Sequence, residues 1–171
     1  MKIIKAILAL AAAIVILGLG LVLTRFPGMS PARTIDPNDA MMHVQSAFAG
    51  PFGLSLSGAT LVEGCKDKGR DGAYRFLLRT DEGFDYQALT VQLRSGEVLA
   101  RLNTDSSLPR WTMQVAGAVG DADVMRECGK AANLKSATIF EYTQSFPARN
   151  HWRRIILSVP DRRIYLELGH T

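Results

Sequence analysis

No two histidines or cysteines sit at metal-ligand spacing anywhere in these 171 residues. His43, His151 and His170 are isolated, and neither H-x-x-x-H nor C-x-x-C occurs, so the sequence calls for no metal and no cofactor. A phosphate-cradling glycine loop is missing, and no S-x-x-K pair is found among the serines. The hydrolase elbow G-x-S-x-G is only approached, because "GLSLSG" has Ser57 where the closing glycine belongs. Asp81-Glu82, in "TDEGFD", reads as a solvated turn and not as a glycosidase dyad. No catalytic residue is assigned, and the expectation is a protein that is not an enzyme.

Acidic groups are absent from the first 35 positions, which hold four basic residues for a charge of +4. Residues 36–144 carry 11 basic and 14 acidic side chains, giving −3, and residues 145–171 carry five and two, giving +3. The sequence pI of about 9.3 therefore reflects the two ends of the chain and not a basic domain body. A nucleic-acid binder concentrates Lys and Arg with aromatics across one face, so nucleic acid is not an expected partner.

One long apolar run is present, and no second follows it. Ala6 to Leu23 is 18 residues without charge or hydroxyl, covering roughly 27 Å as a helix, close to the thickness of a bilayer core. A secretory h-region is shorter and ends near a small-x-small cleavage site. Here Gly18-Leu19-Gly20 lies inside the run, and Ser30-Pro31-Ala32 comes late. No cysteine near the end of the run permits lipoprotein processing. Residues 1–24 are thus read as an uncleaved transmembrane signal anchor, with residues 3–23 in the lipid bilayer. Lys2, Lys5 and the α-amino group place the N-terminus in the cytoplasm. The expected location is the inner membrane, single-pass, with the C-terminal domain periplasmic. Residues 25–35 read as a linker stiffened by Pro27 and Pro31.

Residues 36–171 are long enough for one ordinary domain with its own core. Cys65 and Cys128 both fall in this exported part, where an even pair is expected to form a disulfide. "DPNDAMMHVQSAFAGP" reads as a helix capped by Asp36, with Pro37 at its first position. Met41, Val44 and Phe48 form its apolar stripe, His43 falls off that stripe towards solvent, and Gly50-Pro51 stop it. Period-two alternation then predicts strands in "LSLSGATL", "AYRFLLRT", "RWTMQVAG" and "SATIFEYTQ". "ALTVQLRSGEVLARLN" reads as a hairpin turning at Ser95-Gly96, and "GDADVMRECGKAANL" as a second helix capped by Asp121. "RRIILSV-PDRR-IYLEL" closes the chain as another hairpin. The fold class is α+β: an antiparallel sheet of about six or seven strands with two helices, the second tied by the disulfide to the loop "EGCKDKGRDG".

The C-terminal hairpin gathers Arg149, Trp152, Arg153, Arg154, Arg162 and Arg163 beside His151. Arg and Trp are enriched at binding hot spots, so these six are the candidate partner-binding residues. The same cluster could also serve as the charged rim of an edge hairpin or meet lipid headgroups beside the anchor. Alternation puts Trp152 and Arg154 opposite Ile155 and Leu157, with Arg153 on the apolar face near its rim. The expected function is a non-enzymatic binding domain facing an envelope protein with an acidic surface. It is either an accessory subunit of an envelope complex or a toxin-immunity or inhibitor protein. The alternative is a small envelope hydrolase or ligand-binding domain without a sequence motif, which would show a deep pocket with converging polar groups.

Overall fold

The computed structural model describes residues 33–66, 72–119, 122–127, 130–134 and 136–170. The anchor read at residues 1–24, most of the linker, and Cys128 lie outside the described residues. Among the described residues no helix is long and apolar enough to cross a membrane.

Seven strands form one sheet in the order β1-β2-β3-β9-β8-β7-β4, with every neighbouring pair antiparallel. They are β1 (Arg33–Thr34), β2 (Ala59–Lys66), β3 (Tyr74–Thr80), β4 (Trp111–Val119), β7 (Ala137–Ser145), β8 (Asn150–Ser158) and β9 (Arg163–His170). A separate ladder pairs β5 (Ala122–Glu127) with β6 (Lys130–Leu134). Among the described residues three helices are present: α1 (Pro37–Val44), α2 (Tyr86–Arg94) and α3 (Gly96–Leu102). The sheet-with-helices architecture matches the α+β expectation. β1 lies within the stretch read as linker, so the sheet begins at Arg33.

The C-terminal hairpin forms as its alternation predicts, and β9 lies between β3 and β8 near the middle of the sheet. The turn closes with the Arg162 amide donating to the Val159 carbonyl at 3.1 Å, and Arg162 takes a left-handed φ of 51°. Ile164 and Leu166 face the helices with Ile155, Leu157, Phe76, Leu78 and Phe140, all buried. The opposite face is also buried in its centre, where Leu77, Ala137, Ile139, Ile156 and Tyr165 cluster. Burial on both faces at these positions explains why "FLL" and "IIL" break the strict alternation: neither side of those three-residue stretches meets water.

α1 starts as expected. The Asp36 carboxylate accepts from the Asn38 amide at 2.9 Å, and Ala40, Val44 and Phe48 are fully buried. It does not stop at Gly50-Pro51, however. The helix runs on through a π-helical stretch, Gln45–Ala49, and a last turn, Gly50–Phe52, before Gly53 ends it at φ 65°. Pro51 is the second residue of that last turn, and continuation buries Phe52 completely. His43 is not simply solvated: its ring packs 4.7 Å from Tyr74 and 6.3 Å from Phe76.

Three expectations are overturned. "ALTVQLRSGEVLARLN" is not a hairpin but the helices α2 and α3. The Asp85 carboxylate caps α2 by accepting from the Ala88 amide at 2.8 Å, and Leu89 and Leu93, one turn apart, are buried while Val91 is 63% exposed. "GDADVMRECGKAANL" is not a helix but the β5–β6 ladder, in which Glu127 pairs with Lys130 and Arg126 with Ala131. "LSLS" is not a strand. Leu54 is buried in the connection that follows α1, and β2 starts only after Gly58, which sits at φ 79°. The "EGCK" part of the expected loop belongs to β2, where Cys65 is buried and disulfide-bonded.

α1 crosses the sheet at Gly64, where a Cβ would come within 2.6 Å of the Ala40 Cβ. Gly64→Ala is therefore expected to cost about 1–3 kcal/mol in urea unfolding through overpacking. Gly83→Ala, with nothing within 4 Å of the added carbon, should change stability by less than about 0.5 kcal/mol. Equal effects at the two sites would show that the helix does not rest on β2.

Candidate functional site

Strand register decides where the arginines of the C-terminal hairpin go. On the face away from the helices, Arg75, Glu167, Arg154 and Glu141 stand directly opposite one another across β3, β9, β8 and β7. They form one row of alternating charge. Arg75 Nε donates to Glu167 Oε1 at 3.0 Å, and Arg154 Nη1 donates to Glu167 Oε2 at 3.1 Å. Arg154 also reaches Glu141 Oε2 through Nη2 at 2.7 Å and Nε at 3.0 Å. Glu167 is only 3% exposed. Burial pushes its carboxyl above the usual range, and the guanidinium groups of Arg154 and Arg75 oppose that shift. Arg154 is thus committed to the fold, and its guanidinium additionally covers the Trp152 ring at 5.6 Å.

Arg153 points the other way. It lies over the Trp111 ring at 4.9 Å and the Phe52 ring at 5.7 Å, and its buried Nη1 has no hydrogen-bond partner. Cation–π contact holds it there, and burial lowers its pKa. Arg162 and Arg163 sit at the far turn, where Arg162 pairs with exposed Glu82 at 2.6 Å and Arg163 donates to the Tyr165 hydroxyl at 3.2 Å. Arg149 is exposed beside β8 at the opposite end, about 30 Å from Ser158 at strand rise. The six candidate residues therefore do not form one patch. They divide between two faces and two ends of the hairpin.

What the register does bring together is a wider basic end. β1, β2 and β3 align Arg33, Lys66 and Tyr74, and β9, β8 and β7 align His170, His151 and Gln144, with Trp111 of β4 next in the row. Arg110 precedes Trp111, and Arg149 precedes β8. Arg33, Lys66, Arg110 and Arg149 are all exposed. Three of these four lie outside the C-terminal hairpin, so the charge run there could not reveal them; only the strand pairing does. His151 and His170 face each other with ring centroids 6.3 Å apart, and Phe146 packs 4.9 Å from His151.

The other end of the sheet holds a cleft of about 480 Å³ lined by Ser55, Ser57, Asp81, Phe84, Asp85 and Gln92. Asp85 is engaged in capping α2, and Gln92 Nε2 donates to the Gly53 carbonyl at 2.7 Å. A second cavity of about 270 Å³ adjoins it beneath the π-helical turn, with Leu54, Leu56 and Leu78 in its wall. No histidine or cysteine among the described residues lines either space, so Ser55 and Ser57 face no imidazole base there. Among the described residues no group of three His, Cys, Asp or Glu side chains could hold a metal.

Burial lowers the His151 pKa from its ordinary value, and Arg149, His170 and Arg153 lower it further. A base depressed on folding adds nothing to the pH dependence while it is neutral in both states, and costs stability once the unfolded chain takes up a proton that the folded one resists. Stability should therefore fall as pH drops below about 6.5, and His151→Gln should flatten that fall between neutral pH and about pH 5. A thermal midpoint measured across this range checks it; an unchanged slope in the variant would show that His151 is not held in this cationic setting.

No known protein family matches the chain, and no curated protein or solved structure is detectably similar to it.

Proposed function

We propose that this chain is a membrane-anchored, non-enzymatic binding domain held on the periplasmic side of the inner membrane. It serves either as an accessory subunit of an envelope complex or as a toxin-immunity or inhibitor protein, and its partner is an envelope protein with an acidic surface. The uncharged run from Ala6 to Leu23 supports the anchor, and the +3 charge of residues 145–171 supports an acidic partner. One observation carries the binding reading. On the sheet face away from the helices, Gly169, Trp152, Thr143 and Thr112 stand in one row, next to the row that holds Arg154.

That row is built to be met by another surface. A Cβ at Gly169 would meet the Trp152 ring at 2.7 Å, so the indole lies flat against the β9 backbone. Arg154, fixed by two carboxylates, lies over the ring at 5.6 Å, and the Thr112 and Thr143 hydroxyls share a 3.0 Å hydrogen bond beside it. A half-buried Trp on rigid strands loses little freedom on binding, which is the property of a hot-spot anchor.

Purification of the tagged full-length protein in mild detergent should recover an envelope partner in stoichiometric amount. Trp152→Ala should lose that partner while the thermal midpoint moves by only a few degrees, and Thr143→Arg, which adds bulk without touching the core, should lose it too. Full recovery of the partner with both variants would contradict the reading.

A second reading has its own observation, the cleft with its adjoining apolar cavity. Its size falls within the range of small-ligand sites, and its polar groups fit binding better than hydrolysis. A compound library that raises the thermal midpoint of wild type but not of Asp81→Asn would favour it.

A further inference from the structure

We propose that the sheet end carrying Arg33, Lys66, Arg110 and Arg149 rests on the anionic phospholipid surface of the membrane that holds the chain. The inference depends on the anchor reading above and assigns a role to a different surface from the Trp152 row. Four exposed cations arrive at this end from four places: β1, β2, the entry to β4 and the entry to β8. Antiparallel register brings them to the same end of the sheet, with Arg33 and Lys66 level with Arg153 and Met113, and Arg110 and Arg149 further out along β4 and β8. The outermost paired rows here hold Ser145 and Asn150, then His170, His151, Gln144 and Trp111, with no carboxylate in either. The Asp36 carboxylate, close to Arg33 in sequence, is turned to the α1 amides.

The tether selects the same end. Arg33 opens β1, and only residues 24–32 separate it from Leu23, the last residue of the apolar run. Nine residues span at most about 30 Å when fully extended. The chain therefore leaves the bilayer into this end of the sheet, and the basic groups stay within reach of the surface potential. Attraction to anionic lipid strengthens several-fold with each added Lys or Arg and fades within a Debye length. The half-buried Tyr74 at this end is of the type that settles at headgroup level. The opposite end mixes three arginines with Asp81, Glu82, Asp85 and Asp161, whereas the exposed carboxylate in the turn leading into Arg110 is Asp105. Docked this way, the domain stands upright with its cleft directed away from the membrane.

The test uses the full-length protein reconstituted into vesicles of phosphatidylcholine alone, or with a minority of phosphatidylglycerol, followed by amide hydrogen exchange. On phosphatidylglycerol vesicles, amides around residues 109–112 and 146–152 should exchange roughly five-fold more slowly or slower still. Those around 81–85 and 158–163 should not change. High salt should remove the protection, and so should Arg110→Glu with Arg149→Glu; if that pair of changes impairs folding, the salt arm on wild type decides alone. Equal exchange on the two vesicle types, or protection at the cleft end, would overturn the proposal. The first of these results would leave an acidic protein as the partner of this end. Retention on phosphatidylcholine vesicles through a carbonate wash reports the anchor separately. If the chain washes off, the anchor reading fails, and protection of the same amides by added phosphatidylglycerol vesicles still decides the docking.

Discussion

Glu167 lies on an inner strand of the sheet, 3% exposed, with an arginine on each side. A lone carboxylate at such a site would carry a heavy desolvation cost, and the two guanidinium groups make its burial tolerable. The arrangement also fixes register. Arg75, Glu167, Arg154 and Glu141 align only when β3, β9, β8 and β7 pair as observed. A slip of one residue would turn Glu167 into the apolar layer beneath α1 and bring Leu166 out in its place. Opposite charges directly across from each other add cross-strand attraction to that penalty.

Much of the surface chemistry follows from this row. It commits Arg75 and Arg154 to the fold, and the inward turn of Arg153 between Trp111 and Phe52 removes a third arginine from solvent. What remains for recognition is Trp152, spread against Gly169 under Arg154, and the exposed cations at the sheet end where β1 begins. A single strand pairing thus divides the basic residues into those that hold the sheet together and those free to meet another surface. The domain accordingly has two unlike ends: one basic, where β1 begins, the other carrying an open cleft with Ser55, Ser57, Asp81 and Asp85.

The elements legible in the sequence are those whose local and tertiary demands agree. β3, β7, β8 and β9 are rich in aromatic and β-branched residues, and α1 carries its cap and stripe in plain view. Residues 86–102 misled because Leu89, Val91 and Leu93 satisfy a period of two as well as of four. The Asp85 cap was the discriminating signal, and the exposure of Val91 shows which period packing uses. In residues 122–134 the small alanines fit either state, and the backbone pairs as the β5–β6 ladder. The candidate site was less legible than the fold. A cluster in the sequence of a hairpin becomes two faces and two ends in space, so Arg149 to Arg163 could not remain one patch. Arg33, Lys66 and Arg110 join Arg149 only through pairings between distant strands.

The division of the arginines rests on the coupling between Arg154 and Glu167, and a double-mutant cycle in urea unfolding measures it. Arg154→Met leaves Glu167 with one guanidinium, and Glu167→Leu leaves Arg154 and Arg75 facing apolar surface. Each single change should cost about 3 kcal/mol, towards the lower end for broken buried pairs because Arg154 keeps some contact with water. The double variant should cost clearly less than the sum, with a coupling of about 1–3 kcal/mol. Additive losses would mean that Arg154 is a solvated side chain resting near Glu167, and that the row does not set the register of the sheet.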